Sequence, residues 1–229
     1  MPIHAQLPFP RDRAPWLISA SLVLMTFLLL SGWRPFDRLT WWLEVAPILI
    51  ALPVLWLSFR RFPLSTLLYA CIFLHACILL MGGAYTYARV PLGHWVAEWL
   101  GLARNPYDKL GHFAQGFVPA LVAREVLLRG AWVRGRRMLG FLVLCVVLAI
   151  SASYELIEWG AAVALGQGAD EFLGTQGDPF DTQSDMGFAL LGGFIALVTC
   201  ASWQDRQISR LAPPPAQSGP RTGTAGAPD

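Results

Sequence analysis

The chain has 229 residues, of which 55% are hydrophobic and only 14% are charged. This composition excludes an ordinary soluble domain and is typical of a protein that crosses a membrane several times. The formal net charge is only +2 and the arginines are spread between apolar runs, which argues against a nucleic-acid partner. The four cysteines show no metal-ligand spacing, so a thiolate metal site is not expected.

Six segments are long and apolar enough to cross a bilayer as helices, which takes about 20 residues. In chain order they are residues 15–33, 41–59, 64–81, 108–128, 138–165 and 184–203. Residues 91–101 carry Trp95, Trp99 and Leu100 at helical spacing, which predicts a short amphipathic helix in the membrane interface. The predicted fold is all-α: a polytopic membrane protein with about six transmembrane helices and a short interfacial helix.

The arginines near the segment ends predict the orientation. They are more numerous after the second, fourth and sixth segments, as at Arg60, Arg129 and Arg206, than on the opposite side. Because basic residues favour cytoplasmic loops, we expect both termini in the cytoplasm and the protein in a bacterial inner membrane. Residues 1–14 are then a cytoplasmic N-terminus, 15–211 a single transmembrane helical domain, and 212–229 a disordered cytoplasmic tail.

Three short segments, residues 108–112, 155–158 and 178–185, place ionisable residues inside or beside the apolar runs. An ionisable group in hydrocarbon costs roughly 2.5–3.5 kcal/mol, so such groups usually face a protein interior and are functional candidates. In the predicted topology all three segments reach the outer surface, and spacings of three or four residues keep each pair on one helix face. The predicted outer layer is Asp108, Glu158 and Asp181, and the layer one turn deeper is His112, Glu155 and Asp185.

Carboxylates gathered in this way must hold protons or bind a cation, since two like charges about 4 Å apart repel by about 4 kcal/mol at an effective dielectric near 20. Carboxylates with one imidazole suit Mg²⁺, Mn²⁺ or Ca²⁺, and suit Zn²⁺ less well. The candidate metal ligands are Asp108, His112, Glu155, Asp181 and Asp185. The candidate catalytic residues are His112, Glu155 and Glu158. One ion bridging the deeper layer requires its side chains to lie within about 8 Å of one another.

Simpler interpretations exist for several of these residues. Asp108 and Asp181 could each cap the helix that they begin, and His112 could be a hydrogen-bonded packing residue. Glu155 is harder to explain, because a carboxylate deep in a membrane needs a specific partner. The glycine pair at 192–193 is expected to allow two helices to approach closely.

Two further groups of polar residues lie outside this set. His75, with Tyr85 and Tyr87 just beyond it, could line the same cavity. Arg124 and Glu125 lie at the cytoplasmic end of the fourth segment, where we expect a local ion pair.

The three polar motifs resemble those of the YjdF-like bacterial inner-membrane proteins. They are YDKLGHFAQG at 107–116, YELIEW at 154–159 and GTQGDPFDTQSDM at 174–186. The resemblance covers most of the chain apart from the tail. It implies a helical inner-membrane protein and implies no particular reaction.

A more distant resemblance is to the VanZ-like membrane proteins, which are linked to glycopeptide tolerance. Their Asp-Lys-x-x-His pattern and helix glutamate are matched here by Asp108, Lys109, His112 and Glu155. Their later pattern is Asp-x-x-x-Asn ahead of a glycine. Asp185 and Gly192 fit it, but Ala189 stands where the asparagine belongs, which weakens any transfer of VanZ-like function.

Three functions follow from these patterns as hypotheses. The first is a metal-dependent or acid–base enzyme at the outer leaflet, acting on a lipid-linked or small-molecule envelope substrate. The second is a transporter coupled to a cation or a proton, since intramembrane carboxylates often form relays, although the sequence shows no inverted repeat. The third is a structural or assembly protein in which the polar cluster only holds helices together. The lipid bilayer is the expected partner in all three.

Overall fold

The computed structural model describes residues 14–165 and 176–211, and all regular structure within these ranges is helical. The α-helices are α1 (Ala14–Trp33), α2 (Arg38–Ser58), α3 (Thr66–Tyr85), α4 (Pro91–Leu100), α5 (Tyr107–Arg129), α6 (Arg136–Leu165) and α7 (Asp181–Leu211). The predicted all-α fold is confirmed, and each predicted segment coincides with one helix. Residues 1–13 and the predicted tail at 212–229 lie outside the described residues, and the division into domains stays a prediction.

Five of the described helices, α1, α2, α3, α6 and α7, are long and apolar enough to cross a membrane. The remaining predicted span, the fourth in the chain, is α5; its 23 residues are sufficient length, but its two ends carry charged residues. These residues avoid lipid because α5 is enclosed by α7, α6 and α3 and has buried side chains along its whole length. The helix that looks least suited to a membrane is thus the centre of the bundle.

Contacts between helix ends show the relative direction of α5 and α7. At one end Arg124 of α5 pairs with Asp205 of α7 at 2.6 Å. At the other end Lys109 of α5 pairs with Asp181 of α7 at 2.8 Å. The helices α5 and α7 therefore run parallel, with their N-terminal ends adjacent. Which of these ends faces the cytoplasm stays a prediction.

The expected ion pair between Arg124 and Glu125 is wrong. Glu125 is fully buried and accepts hydrogen bonds from the backbone N–H of Ser65 (2.9 Å), the Ser65 hydroxyl (2.6 Å) and Arg129 (3.0 Å). Arg124 instead contacts residues of α7. The physical reason is that adjacent residues on a helix do not face each other, so Arg124 pairs with Asp205 of α7 and Glu125 with Arg129 one turn along α5.

Glycines set the distance between α5 and α7. Gly116 of α5 lies against the backbone carbonyl of Ala189, and Gly192 of α7 lies against the backbone carbonyl of Phe113. A Cβ atom at either glycine would overlap the facing helix. The expectation that Gly192 allows close approach of helices is therefore confirmed, and the polar N-terminal ends of both helices are brought together as a result.

We predict that Gly192→Ala lowers the free energy of unfolding by about 1–3 kcal/mol, because the added methyl group must push two backbones apart. Gly187→Ala on the same helix is the matched control, since a Cβ at Gly187 meets no atom within 4 Å. Unfolding by denaturing detergent in mixed micelles measures both variants. An unchanged Gly192→Ala protein would contradict the close crossing.

Candidate functional site

The ammonium group of Lys109 lies between the adjacent ends of α5 and α7. It is 2.8 Å from an oxygen of Asp181, 2.6 Å from an oxygen of Asp185 and 3.6 Å from an oxygen of Asp108. One cation thus contacts acids from both predicted layers, and the division into two layers stays a prediction. The sequence showed Lys109 only as a neighbouring cation, and its bridging role depends on the helix crossing.

His112 lies one turn further along α5, in the middle of the acids. Its Nε2 atom is 3.5 Å from Oδ1 of Asp108 and 3.8 Å from Oδ2 of Asp185. Its Nδ1 atom is 3.8 Å from Oε1 of Glu155 and 3.1 Å from the amide oxygen of Gln115. The predicted closeness of Glu155 and Asp185 to His112 is confirmed. The metal and catalytic roles assigned to these residues stay predictions.

Glu155 remains the acid that is hardest to explain as structural. Its side chain is only 7% exposed, and its Oε1 atom is buried with no hydrogen-bond donor among the described residues. A buried carboxylate oxygen normally has a donor or a cation beside it. This oxygen points towards the same imidazole that Asp108 and Asp185 approach from the other side.

The acids at the starts of α5 and α7 are placed favourably with respect to the helix dipoles. Asp108 and Asp181 lie in the first turns of α5 and α7, where the positive ends of the helix dipoles favour carboxylates. The N-cap position of α5 is Pro106, so Asp108 is not its cap.

Asp178 is separate from the cluster: its carboxylate accepts a hydrogen bond from the Phe180 N–H (3.0 Å) and pairs with Arg104 (2.9 Å). These two contacts hold the pKa of Asp178 below its usual range.

A cavity of about 160 Å³ opens beside His112, between α2, α3, α5 and α6. The predicted residues that line it are His75, Tyr87, Asp108, His112 and Glu158. Tyr85, which was expected with them, is not among the lining residues and is exposed. Glu158 therefore belongs to the wall of this cavity, and His112 connects the cavity to the cluster between α5 and α7.

Sequence reasoning missed three polar residues of this cavity, Glu44, Gln115 and Tyr154. Glu44 is buried in α2 and accepts a hydrogen bond of 3.1 Å from the Tyr154 hydroxyl. The signal was present, because Glu44 is a lone carboxylate inside the apolar segment 41–59, and such a group in hydrocarbon needs a specific partner. The ring of Tyr154 meets that of His112 edge-on at 6.4 Å.

A second cavity, of about 300 Å³, lies on the other side of Asp108, beside the loop that joins α4 and α5. Lys109, Asp181, Asn105 and Gln176 contribute to its lining. The side chain of Gln176 exchanges two hydrogen bonds of 3.0 Å with the backbone of Asn105. Asp108 lines both cavities, so it separates this polar pocket from the one inside the bundle.

Comparison with known proteins gives one family and one close relative. The model of a family described as "Predicted membrane protein (DUF2238)" matches residues 16–206. The chain is 58% identical over 202 residues to the inner membrane protein YjdF of Escherichia coli strain K12, covering 88% of this chain and 97% of that protein. No solved structure matches. The YjdF-like resemblance is confirmed and a multi-pass inner-membrane location is supported, whereas the VanZ-like resemblance stays a prediction.

We predict that Lys109→Met lowers the free energy of unfolding by about 3–5 kcal/mol, because it leaves buried carboxylates without their cation. Lys109→Arg keeps the charge and serves as the control. Unfolding in mixed micelles at neutral pH measures both. Equal stability of Lys109→Met and the wild type would show that Lys109 does not neutralise these acids.

Proposed function

We propose that this chain, which belongs to the DUF2238 family of predicted membrane proteins, binds a divalent cation between α5 and α7 and acts with it on a lipid or lipid-linked substrate at the outer leaflet. One observation carries the proposal: Asp108, His112 and Asp185 each offer a ligand atom, and these atoms lie within 4.8 Å of one another. All three residues are buried.

The spacing of these atoms suits one ion. Two ligands that each lie roughly 2.0–2.6 Å from a cation are at most about 5 Å apart. Two carboxylates and an imidazole form a donor set for Mg²⁺, Mn²⁺ or Ca²⁺, with Zn²⁺ less favoured.

Lys109 supports this arrangement without competing for the same atom. It contacts Oδ1 of Asp185 at 2.6 Å, whereas Oδ2 of Asp185 faces Nε2 of His112 at 3.8 Å. One oxygen of Asp185 is thus fixed by the lysine and the other remains directed at the proposed ion. Outer contacts of this kind commonly orient metal ligands and tune their affinity.

The residues around the proposed ion suggest the type of chemistry. A bound divalent ion lowers the pKa of a water molecule or polarises a phosphoryl or carbonyl oxygen. Glu155 lies behind His112, and Glu158 lines the adjoining cavity, so Glu158 is placed to exchange a proton with a substrate there. In this proposal His112 is a ligand, Glu155 orients it, and Glu158 is the acid–base residue.

The Lys109 contacts favour a second function, in which the cluster only holds α5 and α7 together. In that case the acids need no metal, because Lys109 already neutralises much of their charge. The two functions differ in one measurable property, the affinity of the purified protein for a divalent ion.

We predict that purified protein stripped with EDTA binds one Mn²⁺, and that Asp185→Asn weakens this binding at least about tenfold because a charged ligand is lost. Isothermal titration calorimetry measures the affinity. Asp178→Asn is the matched control, since Asp178 pairs with Arg104 outside the cluster. Wild-type protein that binds no Mn²⁺, or equal affinities in wild type and Asp185→Asn, would rule out the metal site and leave the structural function.

A further inference from the structure

The cavity beside His112 is lined on one side by residues of α2 and on another by residues of α6. The helix α2 packs against α3 and α1, whereas α6 packs against α5 and α7, so neither is a main packing partner of the other. The hydrogen bond from Tyr154 to Glu44 spans the gap between them. Ile150 of α6 lines the cavity and is also 39% exposed. Since both helices are long and apolar enough to cross a membrane, the gap between them faces lipid.

The polar wall of this cavity is rich in carboxyl groups. Those of Glu44, Asp108 and Glu158 line it beside the imidazoles of His75 and His112, and none of the described residues that line it is a lysine or an arginine. Lys109 is directed away, towards Asp181 and Asp185, and lines the other cavity. A cavity of this kind in a low-dielectric surrounding favours a positively charged ligand.

The remaining wall has the properties that an organic cation requires. Tyr87 and Tyr154 contribute aromatic rings, and aromatic faces together with carboxylates are the usual surroundings of ammonium groups in proteins. Pro47, Leu79 and Ile150 add an apolar surface. The volume of about 160 Å³ is enough for a headgroup of about the size of benzene, whereas a longer chain must stay outside.

We propose that this cavity binds the ammonium group of an amphiphile that enters from the membrane between α2 and α6. Glu44 and Glu158 contact the ammonium group, and the alkyl chain extends past Ile150 into lipid. The proposal deepens the proposed function by naming its substrate class as alkylammonium compounds. Binding itself requires no metal, because the acids from α2 and α6 are not among the proposed ligands.

The test uses the full chain in dodecyl maltoside micelles with EDTA present, and octylammonium as the probe. Equilibrium dialysis is expected to show saturable binding of octylammonium and none of the neutral octanol. Glu44→Gln should weaken octylammonium binding about tenfold or more, because a buried charge-assisted contact is lost. Glu98→Gln, which removes a carboxylate from the exposed face of α4, is the matched control and should bind as the wild type does.

Two further variants make the result independent of folding and of the metal. Glu158→Gln should also weaken binding, and a Glu44→Gln or Glu158→Gln protein with the wild-type melting temperature excludes misfolding as the cause. Asp185→Asn should weaken Mn²⁺ binding and keep octylammonium binding, so failure of the metal site and failure of the ammonium site are separate results. Equal binding of octylammonium and octanol, or unchanged binding in both glutamate variants, would overturn the proposal.

The same assay identifies the source of the ammonium group. Displacement of octylammonium by added phosphatidylethanolamine, with no displacement by phosphatidylglycerol, assigns the cavity to a lipid headgroup. Displacement by neither lipid assigns it to smaller amphipathic amines. Either result supports recognition of an alkylammonium group.

Discussion

The close parallel crossing of α5 and α7 is the constraint on which the rest of the structure depends. Because Gly116 and Gly192 let the two backbones approach, the N-terminal ends of both helices adjoin and their first-turn acids share one cation, Lys109. Without that cation, Asp181 and Asp185 would be buried charges of like sign in a membrane protein. The crossing therefore makes it possible for a charged helix to occupy the centre of an apolar bundle.

The same crossing determines what the site can do. It directs Asp108 and Asp185 towards Nε2 of His112, while α6 brings Glu155 to the other ring nitrogen, Nδ1. The imidazole then separates two environments. On one side is a compact set of ligand atoms suited to a small ion, and on the other is the carboxyl-lined cavity between α2, α3, α5 and α6. Asp108 belongs to both, which couples the proposed ion to the proposed ligand.

The sequence predicted the helices and much of the site, because the length of an apolar run and an ionisable residue within it are both local features of a sequence. His112 and Glu155 could be assigned to one site since each lay in an apolar run at a similar predicted depth. Contacts between residues on different helices could not be predicted from the sequence in the same way. Glu125 finds Ser65 and not its neighbour Arg124, and Lys109 bridges to α7, because the rotation of packed helices decides both contacts. Glu44 was missed although it is the only carboxylate in the apolar run 41–59.

Pulsed electron paramagnetic resonance of the Mn²⁺-loaded protein tests most directly whether the acids around His112 hold a divalent ion. The ligand geometry predicts electron spin echo modulation from a single directly bound imidazole nitrogen, and its loss in His112→Gln while the variant remains folded. A Mn²⁺ signal without nitrogen modulation, or modulation unchanged in His112→Gln, would contradict the claim.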